Sequence, residues 1–179
     1  MVNNKINKIG ILGGSFDPAH KGHLIISKIA LKNFNLGKIY WIVAKKNPFK
    51  KKAHFSLKER LLKAKIIIKK TKKIQVLYID DIIKSSRSIN VINYLIKRKK
   101  LKNLYFIIGA DILIELHKWK SWKKIVKLVK LIVFSRKGYD RKGKESIVAK
   151  YLNNKIIFVK NHPINISSTI LRKKIKKRN

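Results

Sequence analysis

Two histidines three residues apart carry the first hint of chemistry. His20 and His23 close the run Gly13-Gly14-Ser15-Phe16-Asp17-Pro18-Ala19-His20-Lys21-Gly22-His23, in which a glycine pair gives way to a turn and then to a helix beginning near Gly22. At the start of that helix their spacing aims both imidazoles into the space above the glycines. Gly13 and Gly14 are expected to adopt backbone angles closed to other residues and to bring main-chain N–H groups close to a ligand. The helix turns its positive end toward the same spot. A polyphosphate would satisfy all of these groups at once. The segment Ile166-Ser167-Ser168-Thr169-Ile170-Leu171-Arg172 offers a second anion site. Hydroxyl residues at a helix start present O–H and N–H donors, and Arg172 projects three residues after Thr169 on the same side. Taken alone, this segment is equally a capped helix with a basic tail, Lys173 to Arg178. One such helix start early and one late in the chain fit the two ends of one triphosphate.

These groups need a scaffold, and the hydropathy pattern supplies one. Lys8 to Leu12 reads as a buried strand ending at glycine, and His23 to Phe34 as a helix with Leu24, Ile25, Ser27, Ile29 and Leu31 as inner candidates. Ile39 to Ala44 is a second strand. Ser56-Leu57-Lys58-Glu59 is a capping box that opens a helix running to about Lys70. Ile74 to Ile79 is a third strand, Ser88-Ile89-Asn90 caps a helix through about Arg98, and Leu104 to Ile108 is a fourth strand. Leu131 to Ser135 and Ile156 to Val159 add two more, with a helix around Glu145 to Leu152 between them. Alternating strands and helices predict an α/β fold, a single Rossmann-like, doubly wound and mostly parallel sheet with helices on both faces.

Other candidates have a plain alternative beside them. Asp111 follows Gly109-Ala110 just inside a helix at a strand's carboxyl end, where ligands lie in open α/β sheets, and suits a ribose contact; it equally complements the helix dipole. Leu113, Leu116 and Trp119 share a helical spacing more typical of core than of a ligand platform. Asp80-Asp81 is more simply a turn cap than a metal site. The loop Lys45 to Lys52 carries Pro48, which excludes regular pairing, and lysines that either reach a phosphate or face solvent.

The chain of 179 residues suffices for one core, and a single domain over 1–179 is expected. There are no cysteines, so disulfides, thiolate metal sites and cysteine nucleophiles are excluded. The apolar runs are shorter than the roughly 20 residues of a membrane span, and no apolar signal region precedes the first strand, so a cytoplasmic location and no membrane partner are expected. The net charge of +38, from 46 basic and 8 acidic residues, suggests nucleic acid. The lysines, however, are scattered through every segment among isoleucines and asparagines, as an AT-rich coding bias produces. No specific nucleic-acid partner is expected, although such a surface attracts ATP and binds RNA at low salt. A homo-oligomer remains compatible with the sequence. Neither GxGxxG after the first strand nor GxxxxGK[ST] is present, so nucleotide binding follows neither the dinucleotide fingerprint nor the Walker loop.

The stretch from Gly13 to His23 resembles the phosphate loop of the nucleotidyltransferase superfamily that shares its HxGH motif with class I aminoacyl-tRNA synthetases. Asn47-Pro48-Phe49-Lys50, Ile108-Gly109-Ala110-Asp111, Leu116-His117-Lys118-Trp119, Ser135-Arg136-Lys137-Gly138 and Ile166 to Arg172 extend the likeness over nearly the whole chain, to the bacterial nicotinate-nucleotide adenylyltransferases. The resemblance implies adenylyl transfer from magnesium-bound ATP to nicotinate mononucleotide in NAD biosynthesis. It implies ATP contacts from Gly13, Gly14, Ser15, Phe16, His20, His23, Gly109, Asp111, Arg136, Ser168, Thr169 and Arg172. Of these, His20, His23 and Arg172 would act on the phosphates in catalysis. Lys50, Ser88 and Trp119 would receive the nicotinate nucleotide, with Trp119 stacked on its ring. Ser88-Ile89-Asn90 departs from the Tyr-Thr or Thr-Ile-Asp usual there, and Lys50 stands where a His-Lys pair is common. Three other readings stay open. One is a zinc site on His20 and His23, for which His54, His117 and His162 offer no marked third ligand. Another is a different acceptor, such as nicotinamide mononucleotide or phosphopantetheine. The last is a basic RNA-binding protein on this scaffold.

Overall fold

The computed structural model describes residues 8–46, 53–153, 155–160, 168–169 and 171–172. Among them six strands, β1 (Ile9–Gly14), β2 (Lys38–Val43), β3 (Ile74–Leu77), β4 (Leu104–Gly109), β5 (Lys130–Phe134) and β6 (Ile157–Val159), form one sheet. Its order is β3-β2-β1-β4-β5-β6, and every pairing is parallel. The helices are α1 (Lys21–Asn33), α2 (Leu57–Ile68), α3 (Asp80–Ile83), α4 (Ser88–Arg98), α5 (Ala110–Glu115), α6 (Trp122–Leu128), α7 (Asp140–Lys144) and α8 (Ile147–Leu152).

The central strands are apolar on both faces because a parallel sheet is covered on both. Leu104, Phe106 and Ile108 of β4 face the core under α4, α5, α6 and α8, where Leu95, Leu113, Ile125 and Val148 are buried. Tyr105 and Ile107 face the core under α1 and α2, with Trp41, Ala30 and Ala64. Gly10 lies on this second face without room for a side chain: an added Cβ would stand 2.8 Å from Cγ1 of Ile39. The strand order reverses between β1 and β4, and their carboxyl ends open a crevice there, the usual ligand position of such sheets.

Several local expectations change on folding. The inner face of α1 runs through Ser27 and Ala30, whereas Ile25 is 41% exposed. Ser88 is the first residue of α4 rather than its cap. Arg87 takes the N-cap position, and Ser85 Oγ accepts from the Arg87 N–H at 3.1 Å and from Asn90 Nδ2 at 2.9 Å. The spacing of Leu113, Leu116 and Trp119 does not continue one helix. A 3-10 turn at Leu116–Lys118 ends it, Ser121 turns through φ 58°, and α6 begins anew. The box at Ser56 forms as expected, with Glu59 N–H donating to Ser56 Oγ at 3.3 Å and Ser56 N–H to Glu59 Oε2 at 2.8 Å. Asp80 opens the short helix α3, and Ser146 caps α8 by accepting from Ala149 N–H at 3.2 Å.

Candidate functional site

The crevice is a cleft of about 720 Å³ lined from the ends of β1 and β4, the starts of α1, α4 and α5, and residues 168 and 169. Gly13 and Gly14 lie in its wall in a different way from that expected. Both are extended residues of β1, paired with Ile42 and Val43. The left-handed turn falls instead on Phe16, at φ 47°. What the glycines supply is space: an added Cβ on Gly13 would meet only the Phe106 ring, at 3.6 Å. Phe16 is held in its turn by stacking on Trp41, centroids 5.1 Å apart, and by the tilted His23 ring at 4.9 Å. Ser15, between the glycines and Phe16, also lines the cleft.

His20 is the N-cap of α1, and its backbone N–H donates to His23 Nδ1 at 3.2 Å. An accepting Nδ1 carries no proton, so neutral His23 holds its proton on Nε2. The two rings lie 3.9 Å apart and both line the cleft. Burial, aided by the positive charge of Arg136, lowers the pKa of His20 to about 4, so this imidazole is neutral near pH 7. Its Nδ1 is buried and has no hydrogen-bond partner among the described residues.

The late segment closes onto this turn. Ser168 Oγ donates to the Pro18 carbonyl at 2.9 Å, which brings Ser168 and Thr169 into the cleft wall. Arg172 lies outside the lining. Its Nη1 donates to the Asp17 carbonyl and stands 3.6 Å from Asp17 Oδ2, and Nη2 donates to Thr169 Oγ1 at 3.1 Å. Asp17, 7% exposed, also accepts from the backbone N–H groups of His54 and Phe55, each at 2.9 Å. Across the cleft, Arg136 pairs with Asp111 Oδ2 at 2.5 Å. Gly109 is the N-cap of α5, and an added Cβ there would stand 2.5 Å from Asp111 Oδ1. Only glycine leaves Asp111 where it is.

The opposite wall contains Ser88 and Trp119, the latter edge-on to Phe106 with centroids 6.2 Å apart. Lys50 lies outside the described residues. Sequence reasoning missed Arg87, Ser86 and Lys118 in this wall, and passed over Asp80 as a turn cap. Asp80 is 4% exposed, and its Oδ2 accepts from the Lys45 N–H at 2.7 Å and from the Ser86 hydroxyl at 2.5 Å. Below it, Arg60 of α2 is 2% exposed and bonded to three carbonyl oxygens. Burial draws its pKa below the usual guanidinium range, and Asp17 and Asp80 oppose that shift. The signal available beforehand was an arginine four residues after a helix cap, on the face destined for the sheet.

Among the described residues no group of three or more His, Cys, Asp or Glu side chains is arranged to hold a metal ion. No helix among them is long and apolar enough to cross a membrane.

The cytidylyltransferase-like family model matches residues 11–174, most of the chain. A relative from Pelagibacter ubique, named a probable nicotinate-nucleotide adenylyltransferase, is 48% identical over 173 residues and aligned over 96% of each chain. The chain belongs to the nicotinate-nucleotide adenylyltransferases. An Aquifex aeolicus relative of the same name is 34% identical, over 89% of this chain and 98% of its own. The fold agrees with that of a Plasmodium falciparum nicotinic acid mononucleotide adenylyltransferase solved with NaAD, at a TM-score of 0.71, 20% identity, and coverage of 93% and 83% of the two chains. The same enzyme solved with APC superposes at a TM-score of 0.72, with 19% identity and the same coverage.

Proposed function

We propose that this cleft joins ATP to nicotinate mononucleotide, giving nicotinate adenine dinucleotide and pyrophosphate. The observation that supports the reading is the meeting of two helix starts on one cleft, Ser168 being tied to Pro18 at 2.9 Å. A phosphate oxygen of the mononucleotide attacks the α-phosphorus of ATP, a new P–O bond forms, and the bond to the β-phosphate oxygen breaks as pyrophosphate leaves. Nothing covalent is asked of the protein, so catalysis is positioning plus electrostatic stabilisation.

His23 Nε2–H and the first N–H groups of α1 donate to the phosphate oxygens. His20 is neutral before ATP arrives, and the incoming negative charge favours its protonated form. Ser168 and Thr169 hold the β and γ groups, and Arg172 keeps their helix against Asp17. Asp111 accepts from the ribose hydroxyls while Arg136 neutralises it. Magnesium prefers oxygen ligands and keeps several waters, and it enters as part of the MgATP substrate, held by the triphosphate oxygens. Gly13 and Gly14 leave room for the nucleotide against β1. Trp119 stacks on the pyridine ring, and the start of α4 at Ser88 together with the Arg87 guanidinium receives the carboxylate. Lys50 belongs to the same acceptor reading by its place in the loop after β2.

Pyrophosphate release from MgATP is the test, with nicotinate mononucleotide, nicotinamide mononucleotide and phosphopantetheine as separate acceptors. Selective release with the nicotinate compound is the expected result. Release only with another acceptor removes the acceptor assignment, and RNA binding without turnover removes the enzyme reading.

A further inference from the structure

Arg60 does not itself line the cleft, yet it is bonded to segments that form both of its walls. It sits on α2, no residue of which lines the cleft, and it is 2% exposed. Its Nη1 donates to the carbonyls of Ser15 and Ala44, each at 2.7 Å, and Nη2 donates to the Lys45 carbonyl at 3.2 Å. Ser15 belongs to the phosphate turn after β1, whereas Ala44 and Lys45 leave the end of β2. From there the connection continues to the acceptor wall. Lys45 N–H donates to Asp80 Oδ2 at 2.7 Å, Asp80 accepts the Ser86 hydroxyl, and Lys46 N–H approaches Ser86 Oγ at 3.4 Å. Ser86, Arg87 and Ser88 then form the start of the wall itself.

Only a guanidinium has the donors and the planar fork to bind three carbonyl oxygens from two segments at once; a lysine ammonium is a point charge on a flexible stem. A buried cation needs compensating charge, and the carboxylates of Asp17 and Asp80 act on Arg60. One of these, Asp17, is the residue on which Arg172 rests, so the row Asp17, Arg60, Asp80 links the nucleotide end of the cleft to its acceptor end.

We infer that Arg60 is a positioning residue for adenylyl transfer, fixing the distance between the phosphate turn and the acceptor wall through the carbonyls of Ser15, Ala44 and Lys45. In-line attack demands that the two substrates be held at near-contact distance, and a displacement of about 1 Å can cost about 10²-fold in rate. The inference rests on the two-substrate reading of the cleft.

Arg60→Lys and Arg60→Met test it in three measurements: Tm, the Kd of a non-hydrolysable MgATP analogue, and kcat and KM for nicotinate mononucleotide. The expected pattern is analogue affinity within about threefold of wild type, kcat lowered about 30-fold or more with acceptor KM raised, and the lysine variant between methionine and wild type. Asp80→Asn should show the same split, and adding it to Arg60→Lys should cost less than the product of the single losses. A lowered Tm with kcat and KM within twofold of wild type would overturn the inference, as would loss of analogue affinity in step with kcat. If Arg60→Met does not fold, Arg60→Lys and Asp80→Asn decide between the same outcomes. Wild-type turnover with a different acceptor would retire the proposed substrate alone, and the Arg60 comparison would then be made with that acceptor.

Discussion

The two ends of the cleft are built differently. At the nucleotide end, His20 and His23 share one turn of α1 and bond to each other, so a short run of sequence already contains the geometry. Its distant contributions are the Asp111–Arg136 pair and the helix of Ser168 and Thr169, tethered to Pro18 across 150 residues. At the acceptor end the serines before α4 bond locally, but the tie to the neighbouring strand is long-range: Lys45 meets Asp80 35 residues away, and Lys46 N–H approaches Ser86 Oγ across 40. On the proposed assignment, phosphate chemistry rests largely on a motif, whereas acceptor choice rests on tertiary packing. Mutations at the two ends should fail in different ways.

The largest effect belongs to the nucleotide end. His23→Ala removes the proposed donor to the phosphates and should lower kcat about 10²-fold or more, with a Tm shift of only a few degrees. Pyrophosphate release and thermal melts on the same preparation check it. Near-normal kcat would show that the imidazole pair is structural, a role already visible in the His20 N–H bond to His23 Nδ1.

Gly109→Ala should come next. The new Cβ would lie 2.5 Å from Asp111 Oδ1, so the carboxylate must leave its place beside Arg136. Losing a charge-assisted contact of this kind costs about 1.5–3 kcal/mol, which predicts a rise of roughly 10-fold or more in the KM for ATP and little change for the acceptor. An equal rise for both substrates would mean that Asp111 serves the cleft as a whole rather than the nucleotide end.

Arg87→Gln probes the opposite wall with a smaller expected effect, because the residue is exposed to solvent. Its removal should lower kcat/KM for nicotinate mononucleotide about 5–10-fold while leaving nicotinamide mononucleotide nearly unchanged. Equal losses for both would assign Arg87 to the acceptor phosphate instead of the ring carboxylate.

The same division explains what could be seen beforehand. Strand, turn and helix at residues 9–33 were legible because apolar periodicity, glycines and the histidine spacing all lie within one supersecondary unit. The parallel sheet followed from alternation alone. The fall of the left-handed turn on Phe16 was not legible, because stacking on Trp41 and His23 selects it, and Trp41 lies a strand away. Asp80 looked like a turn cap since its partner Lys45 reaches it only when β2 and β3 are side by side. Trp119 kept helical spacing with Leu116 in the sequence, yet the backbone leaves the helix there to begin α6 at a new angle. Arg60 gave only its place four residues after a helix cap: nothing near it in sequence announces three carbonyl partners.

The smallest effect concerns pH and distinguishes the two histidine roles at the nucleotide end. The pKa of His20 is lowered from 6.5 to about 4, first by burial and then by the charge of Arg136. Between those values the unfolded chain binds a proton at this residue that the folded chain does not. Stability from His20 is therefore fully present above pH 6.5 and is lost as pH falls toward 4. His20 is only partly buried, so after allowance for solvent screening the loss is about 1–2 kcal/mol, a few degrees in Tm. His20→Asn removes the titration. The melting difference between variant and wild type should be constant above pH 7 and should move in the variant's favour as pH falls from 6.5 to 4.5. A saturating MgATP analogue should shrink that movement, because bound phosphate favours the protonated imidazole. If the analogue leaves the pH dependence untouched, His20 does not face the phosphates, and the donors at the nucleotide end reduce to His23, the start of α1 and the late helix.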